Sequence, residues 1–397
     1  HSRCTKRQTK AIAWTDQTGM IDKKYFCYEI YKNLAVWSTN GKLGYNPCSF
    51  FKGYIKTSDQ FDLSDVWNSP EHLQLKHQVE NDIPIAGCQG CYNEEAVGLT
   101  SRRMASKKLY EEFHNDVTID INGPQGLDYS VGNLCNLKCI ICGPSSSTAW
   151  LPDYQKLNPG KSIVNFQYQK FNQIEIDDTE LLKNIITIHF HGGGDPLMSK
   201  NHIALLEKIK KIKSLSDIRI FYNTNGTHCV EQKVLDLWKE CKLVELYFSI
   251  DDIGERFNYQ RTGADWKDVV RNLEWYKTHM PHNHMFNINC VWGYLNLYHL
   301  TDLVDWHHKN FSSNRYGDIT NLIFQRATGQ YDIKHLSNKT KQILQNRFIN
   351  YPGLLNLVNT IAVNDKLHDN FWKNITELDQ IRNTNFRELC PEWSTLL

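Results

Sequence analysis

The sequence predicts an α/β fold built on a parallel sheet, and three observations carry that prediction. From residue 127 to about residue 350, short runs rich in β-branched and aromatic residues alternate with helix-length amphipathic stretches. Six such strand–helix units fit in the span, and repeated alternation of this kind means parallel strands joined by right-handed crossovers. Polar, glycine-bearing or cysteine-bearing segments follow the first four strand runs. Both an open doubly wound sheet and a partial barrel place their functional loops at these carboxyl ends.

In chain order, residues 1–24 form a polar N-terminal segment. Residues 25–115 read as a small α+β module: strand-like YFCYEIY and LAVWST, turn signals in TNGKLGYNP, and a helical pattern around SPEHLQLKHQVEN. Residues 116–350 hold the strands LDYSVGN, ITIHFHG, IRIFYNT, LVELYFSI, FNINCVW and NLIFQRA. Between them lie the helices HIALLEKIKKIK, VEQKVLDLWKE, WKDVVRNLEWYK and LTDLVDWHHKN. Residues 351–397 read as a helical C-terminal tail.

The 397 residues carry 45 basic and 44 acidic side chains, a balance that gives no reason to expect nucleic acid. No apolar run approaches the roughly 20 residues a membrane helix needs. The opening HSRCTKRQTK has no charged-then-apolar leader, so we expect a cytoplasmic protein without a membrane partner. Twelve cysteines in a chain of this size, many in tight clusters, point to metal rather than to a disulfide framework. Cys4, Cys229, Cys241 and Cys290 stand alone and read as ordinary thiols.

CNLKCIIC follows the first strand, HGGGDPLM the second, NTNGT the third and SIDD the fourth. The first loop spaces Cys135, Cys139 and Cys142 as C-x3-C-x2-C with no fourth cysteine close behind. A structural zinc wants four ligands, and a redox pair would need only Cys139 and Cys142. A cubane cluster has four irons, so three thiolates leave one iron open for a ligand.

With a Gly-Gly-acid-Pro segment after the second strand, this pattern resembles the radical S-adenosylmethionine (SAM) superfamily over roughly residues 127–330. The resemblance implies a partial (β/α)6 barrel. It also implies a [4Fe–4S] cluster on Cys135, Cys139 and Cys142 whose open iron chelates SAM, which is cleaved to a 5′-deoxyadenosyl radical that abstracts hydrogen from a substrate. Gly193, Gly194, Asp195 and Pro196 match the segment that meets the methionine amino group. Ser249 and Asp251 match positions near the carboxylate and ribose, with Asn223 and Asn225 beside them and Arg261 as a carboxylate clamp. Two positions depart from the family pattern: Asp195 stands where Glu is usual, and Ile141 where an aromatic is common against the adenine.

Cys27, Cys48, Cys88 and Cys91 form a second set. NGKLGYNPC followed by CQGC, and SRR at 101–103 after NEEAVGLT, resemble the cysteine grammar of SPASM and twitch domains, here ahead of the barrel. The resemblance implies an auxiliary iron–sulfur cluster; four thiols can equally close a zinc site, and Cys390 can replace one ligand or stay free. Relatives of this kind act on peptides, which makes a peptide the first expected substrate. A dehydrogenase or epimerase of a small sugar or cyclitol is the alternative, and an inactive iron–sulfur sensor is a reading of another class. An enzyme would draw its electron from an external donor such as flavodoxin or ferredoxin.

Overall fold

The computed structural model describes residues 23–396 except 40–41, 59–62, 97, 99, 114–121, 131, 164–165, 167–178, 312–320 and 365–368. The expected polar segment 1–24, Cys4 included, and the boundary near residue 115 thus fall almost wholly outside the described residues.

Nine strands form one sheet: β1 (Asn33–Thr39), β2 (Lys42–Asn46), β3 (Lys56–Ser58), β4 (Gly126–Ser130), β5 (Thr187–Phe190), β6 (Arg219–Thr224), β7 (Leu243–Ser249), β8 (His284–Trp292) and β9 (Asn321–Arg326). The order is β3-β2-β1-β4-β5-β6-β7-β8-β9. From β4 to β9 every neighbour is parallel, as six strand–helix units require. The crossover helices are Asn201–Ile212, Gln232–Glu240, Trp266–His279 and Leu300–Phe311. Each buries an apolar stripe; in Gln232–Glu240 it is Val234, Leu235, Leu237 and Trp238. The tail supplies helices Pro352–Asn359 and Asp369–Arg382 with two short turns after them. Among the described residues no helix is long and apolar enough to cross a membrane.

Two local expectations are corrected. YFCYEIY is not a strand; Tyr28–Lys32 is a one-turn helix whose five residues are all buried, Glu29 and Lys32 included, so its polar residues do not mark a solvent face. TNGKLGYNP is more than a turn, because Lys42–Asn46 folds back antiparallel on β1. The sheet also extends past the six expected strands. β1 lies parallel to β4, pairing Ala35 with Asp128 and Trp37 with Ser130, so the N-terminal segment and the six-stranded array share one hydrogen-bonded sheet.

Alternation along the strands separates two faces. Leu127, Tyr129, Ile188, Phe190, Ile220, Tyr222, Val244, Leu246 and Phe248 point to the helices and form the main core. The other face is mostly polar: in register across the sheet it carries Asp128, His189, Phe221 and Glu245, then Asn223, Tyr247 and Asn287.

Candidate functional site

The cysteine loop leaves β4 and is held from three sides. Lys138 N–H and Ile140 N–H donate to the carbonyls of Thr262 and Gln260 at 2.9 and 2.8 Å. The Trp150 indole donates to the Cys139 carbonyl at 2.8 Å. Behind that indole, Arg382 of the tail helix stacks at 4.6 Å and pairs with Asp153, which also binds Lys138. Cys139 is buried, Cys135 half-buried and Cys142 exposed. The Cys139 thiol hydrogen-bonds toward Cys142, raising the pKa of Cys139 and lowering that of Cys142.

The glycine loop after β5 packs directly on this segment. Gly192, Gly193 and Gly194 have φ of +57°, +58° and +102°, the left-handed region that side chains resist. A Cβ on Gly193 would sit 2.3 Å from the Gly132 carbonyl oxygen, and one on Gly194 2.6 Å from that of Leu134. That close approach lets Gly194 N–H donate to Ser146 O at 3.0 Å and Asp195 N–H to Leu134 O at 2.8 Å.

Asp195 is buried, and protein donors occupy its carboxylate. Oδ1 accepts from Leu197 N–H at 3.0 Å, Oδ2 from Asn225 N–H at 2.7 Å, and the Thr224 hydroxyl reaches both oxygens at 3.2 and 3.0 Å. A carboxylate has about four acceptor positions, so this one ties the second loop to the third. Burial raises its pKa, against the hydrogen bonds from Asn225, Leu197 and Thr224. Pro196 begins the short 3-10 turn that Asp195 caps.

The other expected residues fall around the cysteines. The Asn225 amide donates to Asn136 Oδ1 at 3.0 Å and lies 3.6 Å from Cys135 Sγ. Arg261 Nε donates to Asp251 Oδ2 at 2.8 Å, while its Nη1 lies 3.8 Å from Cys139 Sγ. Asp251 Oδ1 accepts from Val291 N–H at 2.8 Å. Ile141 packs half-buried on the core. Asn223 and Ser249 stand further along the polar face of β6 and β7, Ser249 in register with Asn289.

In the second set, Cys27, Cys48 and Cys91 are buried, Cys88 is half-buried, and all are free thiols. Cys27 lies within electrostatic reach of Cys88, Cys91 and Cys48. Burial raises every one of them, Cys88 to about 12, so they stay protonated without a cation. The SRR segment closes this pocket: Arg103 forks onto Glu95 and reaches the carbonyls of Lys24 and Phe26, each at 3.0 Å. Cys390 sits instead in the main core, its N–H bonded to Phe386 O at 2.8 Å, beside Trp393.

One group escaped the sequence reading. Asp128 on β4, His189 on β5 and His191 just beyond it lie side by side on the polar face, with Trp37 against His191 at 5.1 Å. Burial would raise the Asp128 carboxyl, but the Arg102 guanidinium overrides it and holds it below its ordinary range. Arg102 also pairs with buried Glu29 at 2.8 Å; burial still lifts Glu29 to about 7. Burial depresses both imidazoles, His189 to about 3. The signal was available in LDYS and HFH, where polar residues alternate with apolar ones on central strands.

Fold and loop together define an α/β protein with a three-thiol loop and a glycine loop at adjacent strand ends. Residues 129–302 match the sequence profile of the Radical SAM superfamily. GTP 3′,8-cyclase from Pasteurella multocida is 25% identical over 151 residues, 37% of this chain and 40% of that protein. The Desulforamulus reducens GTP 3′,8-cyclase is 30% identical over 151 residues, 37% and 41%. The chain thus spans about two fifths of the length of these relatives. Among solved structures, anSMEcpe with bound AdoMet superposes with TM-score 0.40 at 19% identity, covering 60% of this chain and 63% of that one. Streptococcus suis SuiB bound to precursor peptide SuiA gives TM-score 0.37 at 13% identity, covering 87% and 74%.

Proposed function

We propose that the protein is a radical SAM enzyme that abstracts hydrogen from an organic substrate. The observation that carries this reading is the loop of three thiols without a fourth, packed against the glycine loop and faced by Arg261 and Asn225. Its donor set fits a [4Fe–4S] cluster: Cys135, Cys139 and Cys142 would hold it, and two of the three already face hydrogen-bond donors that stabilise thiolate sulfur. Bound there with SAM, such a cluster supplies the electron that generates a 5′-deoxyadenosyl radical. The chain's own residues position and exclude. Arg261, braced by Asp251, presents a cation to the ligand's carboxylate. Because Asp195 is engaged by Thr224, Asn225 and Leu197, backbone carbonyls of the glycine loop would be left to hold the ammonium group. Ile141 covers the adenine side without ring stacking. Asn223 and Ser249 stand beside the cofactor, near its carboxylate and ribose.

Cys27, Cys48, Cys88 and Cys91 hold an auxiliary iron–sulfur cluster in this reading. In support, Cys27 lies within electrostatic reach of Cys48, Cys88 and Cys91, and four thiols together can close an iron–sulfur site. A peptide is the substrate that the twitch and SPASM resemblance implies, with flavodoxin or ferredoxin as electron donor. A second reading, a small sugar-like or cyclitol-like molecule, is favoured by the polar sheet face. There Trp37 Nε1, Ser130 Oγ, His189 Nε2, His191 Nε2, Asn287 Nδ2 and Asn289 Oδ1 are buried without hydrogen-bond partners, a surplus that a hydroxyl-rich ligand would satisfy.

The test is release of 5′-deoxyadenosine by anaerobically reconstituted, dithionite-reduced protein supplied with SAM. Release well above a Cys139→Ala control is expected; equal release would leave only the reading of an inactive iron–sulfur sensor.

A further inference from the structure

We propose that Asp128, His189 and His191 form a binding site for one divalent transition-metal ion, separate from both cysteine sets. The three side chains each offer a ligand atom, and these atoms all lie within 4.8 Å of one another. Register produces the arrangement: Asp128 and His189 are paired neighbours on β4 and β5, and His191, two residues on, returns to the same face.

His189 hydrogen-bonds Asn223, but the three side chains are not hydrogen-bonded to one another. His189 Nδ1 lies 3.8 Å from Asp128 Oδ1, and His191 Nε2 lies 3.8 Å from Oδ2. Both separations are too long for hydrogen bonds. They suit donors sharing one ion, because bonds of roughly 2.0–2.2 Å in tetrahedral geometry space ligand atoms about 3.4 Å apart. Only 8% of His191 is exposed, and its Nε2, aimed at the carboxylate, is buried without a hydrogen-bond partner.

The carboxylate is steadied from behind. Ser49 N–H donates to Oδ2 at 3.0 Å, and Arg102 Nη2 approaches Oδ1 at 3.6 Å while its Nε holds Glu29. Such outer contacts orient a ligating carboxylate. With two imidazoles, one carboxylate and open positions, the donor set suits zinc or ferrous iron better than calcium or magnesium, which prefer oxygen. Ser49 follows Cys48, and His191 precedes the glycine loop that packs on Gly132 and Leu134, one residue before Cys135. The ion would therefore lie between the two thiol sets.

Zinc is the probe of choice, because iron in the clusters would mask added iron. Cluster-loaded protein is stripped with a chelating resin, dialysed anaerobically against micromolar zinc chloride, and assayed for zinc, iron and zinc-edge X-ray absorption. We expect one zinc per chain with a nitrogen and oxygen shell at about 2.0–2.1 Å and imidazole scattering. Retained zinc should fall at least tenfold in His191→Gln and in Asp128→Asn with iron content unchanged. Absence of retained zinc in the wild type overturns the proposal. So does zinc surrounded by sulfur at about 2.3 Å, or retention unaffected by both variants. The wild-type spectrum decides even where a variant folds poorly, and the outcome does not depend on SAM cleavage.

Discussion

Replacing Asp195 by Asn separates two roles that a carboxylate in this position can play. Both oxygens are engaged by Leu197 N–H, Asn225 N–H and the Thr224 hydroxyl. The amide keeps one acceptor and turns an NH2 group toward another donor, with the Asn225 N–H at 2.7 Å in the way. One charge-assisted hydrogen bond is lost, and one buried N–H is orphaned. Together these cost about 2–4 kcal/mol. Urea unfolding of the anaerobic, cluster-loaded protein should show that loss, while SAM affinity measured by equilibrium dialysis should fall less than tenfold. If Asp195→Asn unfolds at the wild-type urea concentration and SAM affinity drops more than tenfold, the carboxylate acts on the ligand and the tie between loops is not its function.

Arg261→Gln should destabilise the protein by about 3–5 kcal/mol, because it strands the buried Asp251 carboxylate. Arg261→Lys should recover only part of that loss, an ammonium lacking the planar fork; urea midpoints of both variants check this. His202, buried against the Tyr222 hydroxyl at 3.0 Å, is held at about 3 by burial. The unfolded chain therefore takes a proton below about pH 6.5 that the folded chain refuses. Stability from this residue is present above that pH and falls by up to about 1.4 kcal/mol per unit on acidification toward pH 3. A His202→Gln variant should show a flatter stability profile in urea titrations between pH 5 and 7. The double variant Cys88→Ala/Cys91→Ala should lower iron per chain from near eight to near four; near four in both proteins would refute an auxiliary cluster.

Much of this architecture is written locally. Apolar runs such as IRIFYNT announce central strands, and the amphipathic pattern of VEQKVLDLWKE announces its helix. The cysteine loop and glycine loop were legible for a different reason: their chemistry demands particular residues at fixed spacing, down to the Cβ-intolerant Gly193. What escaped was non-local. Nothing around LAVWST states that it pairs with LDYS across the sheet, because such pairing depends on edges that meet only in the folded chain. The turn Tyr28–Lys32 buries even Glu29 and Lys32, so its charged residues point away from the usual solvent reading. Asp195 is occupied by Leu197 of its own turn and by Thr224 and Asn225 of the next loop, and Asp128 with the two histidines comes together only through register.

The pairing of β1 with β4 bears on electron traffic. The segments bearing Cys27 and Cys48 flank strands β1 and β2, and the loop bearing Cys135 leaves β4, so these parts of the two thiol sets hang from one backbone ladder whose strands sit about 4.8 Å apart, while Cys88 and Cys91 sit on the helical segment 86–96. Any charge hopping between them would cross a gap set by amide hydrogen bonds and not by the opening and closing of a hinge. Substrate binding could then alter the driving force without altering the distance.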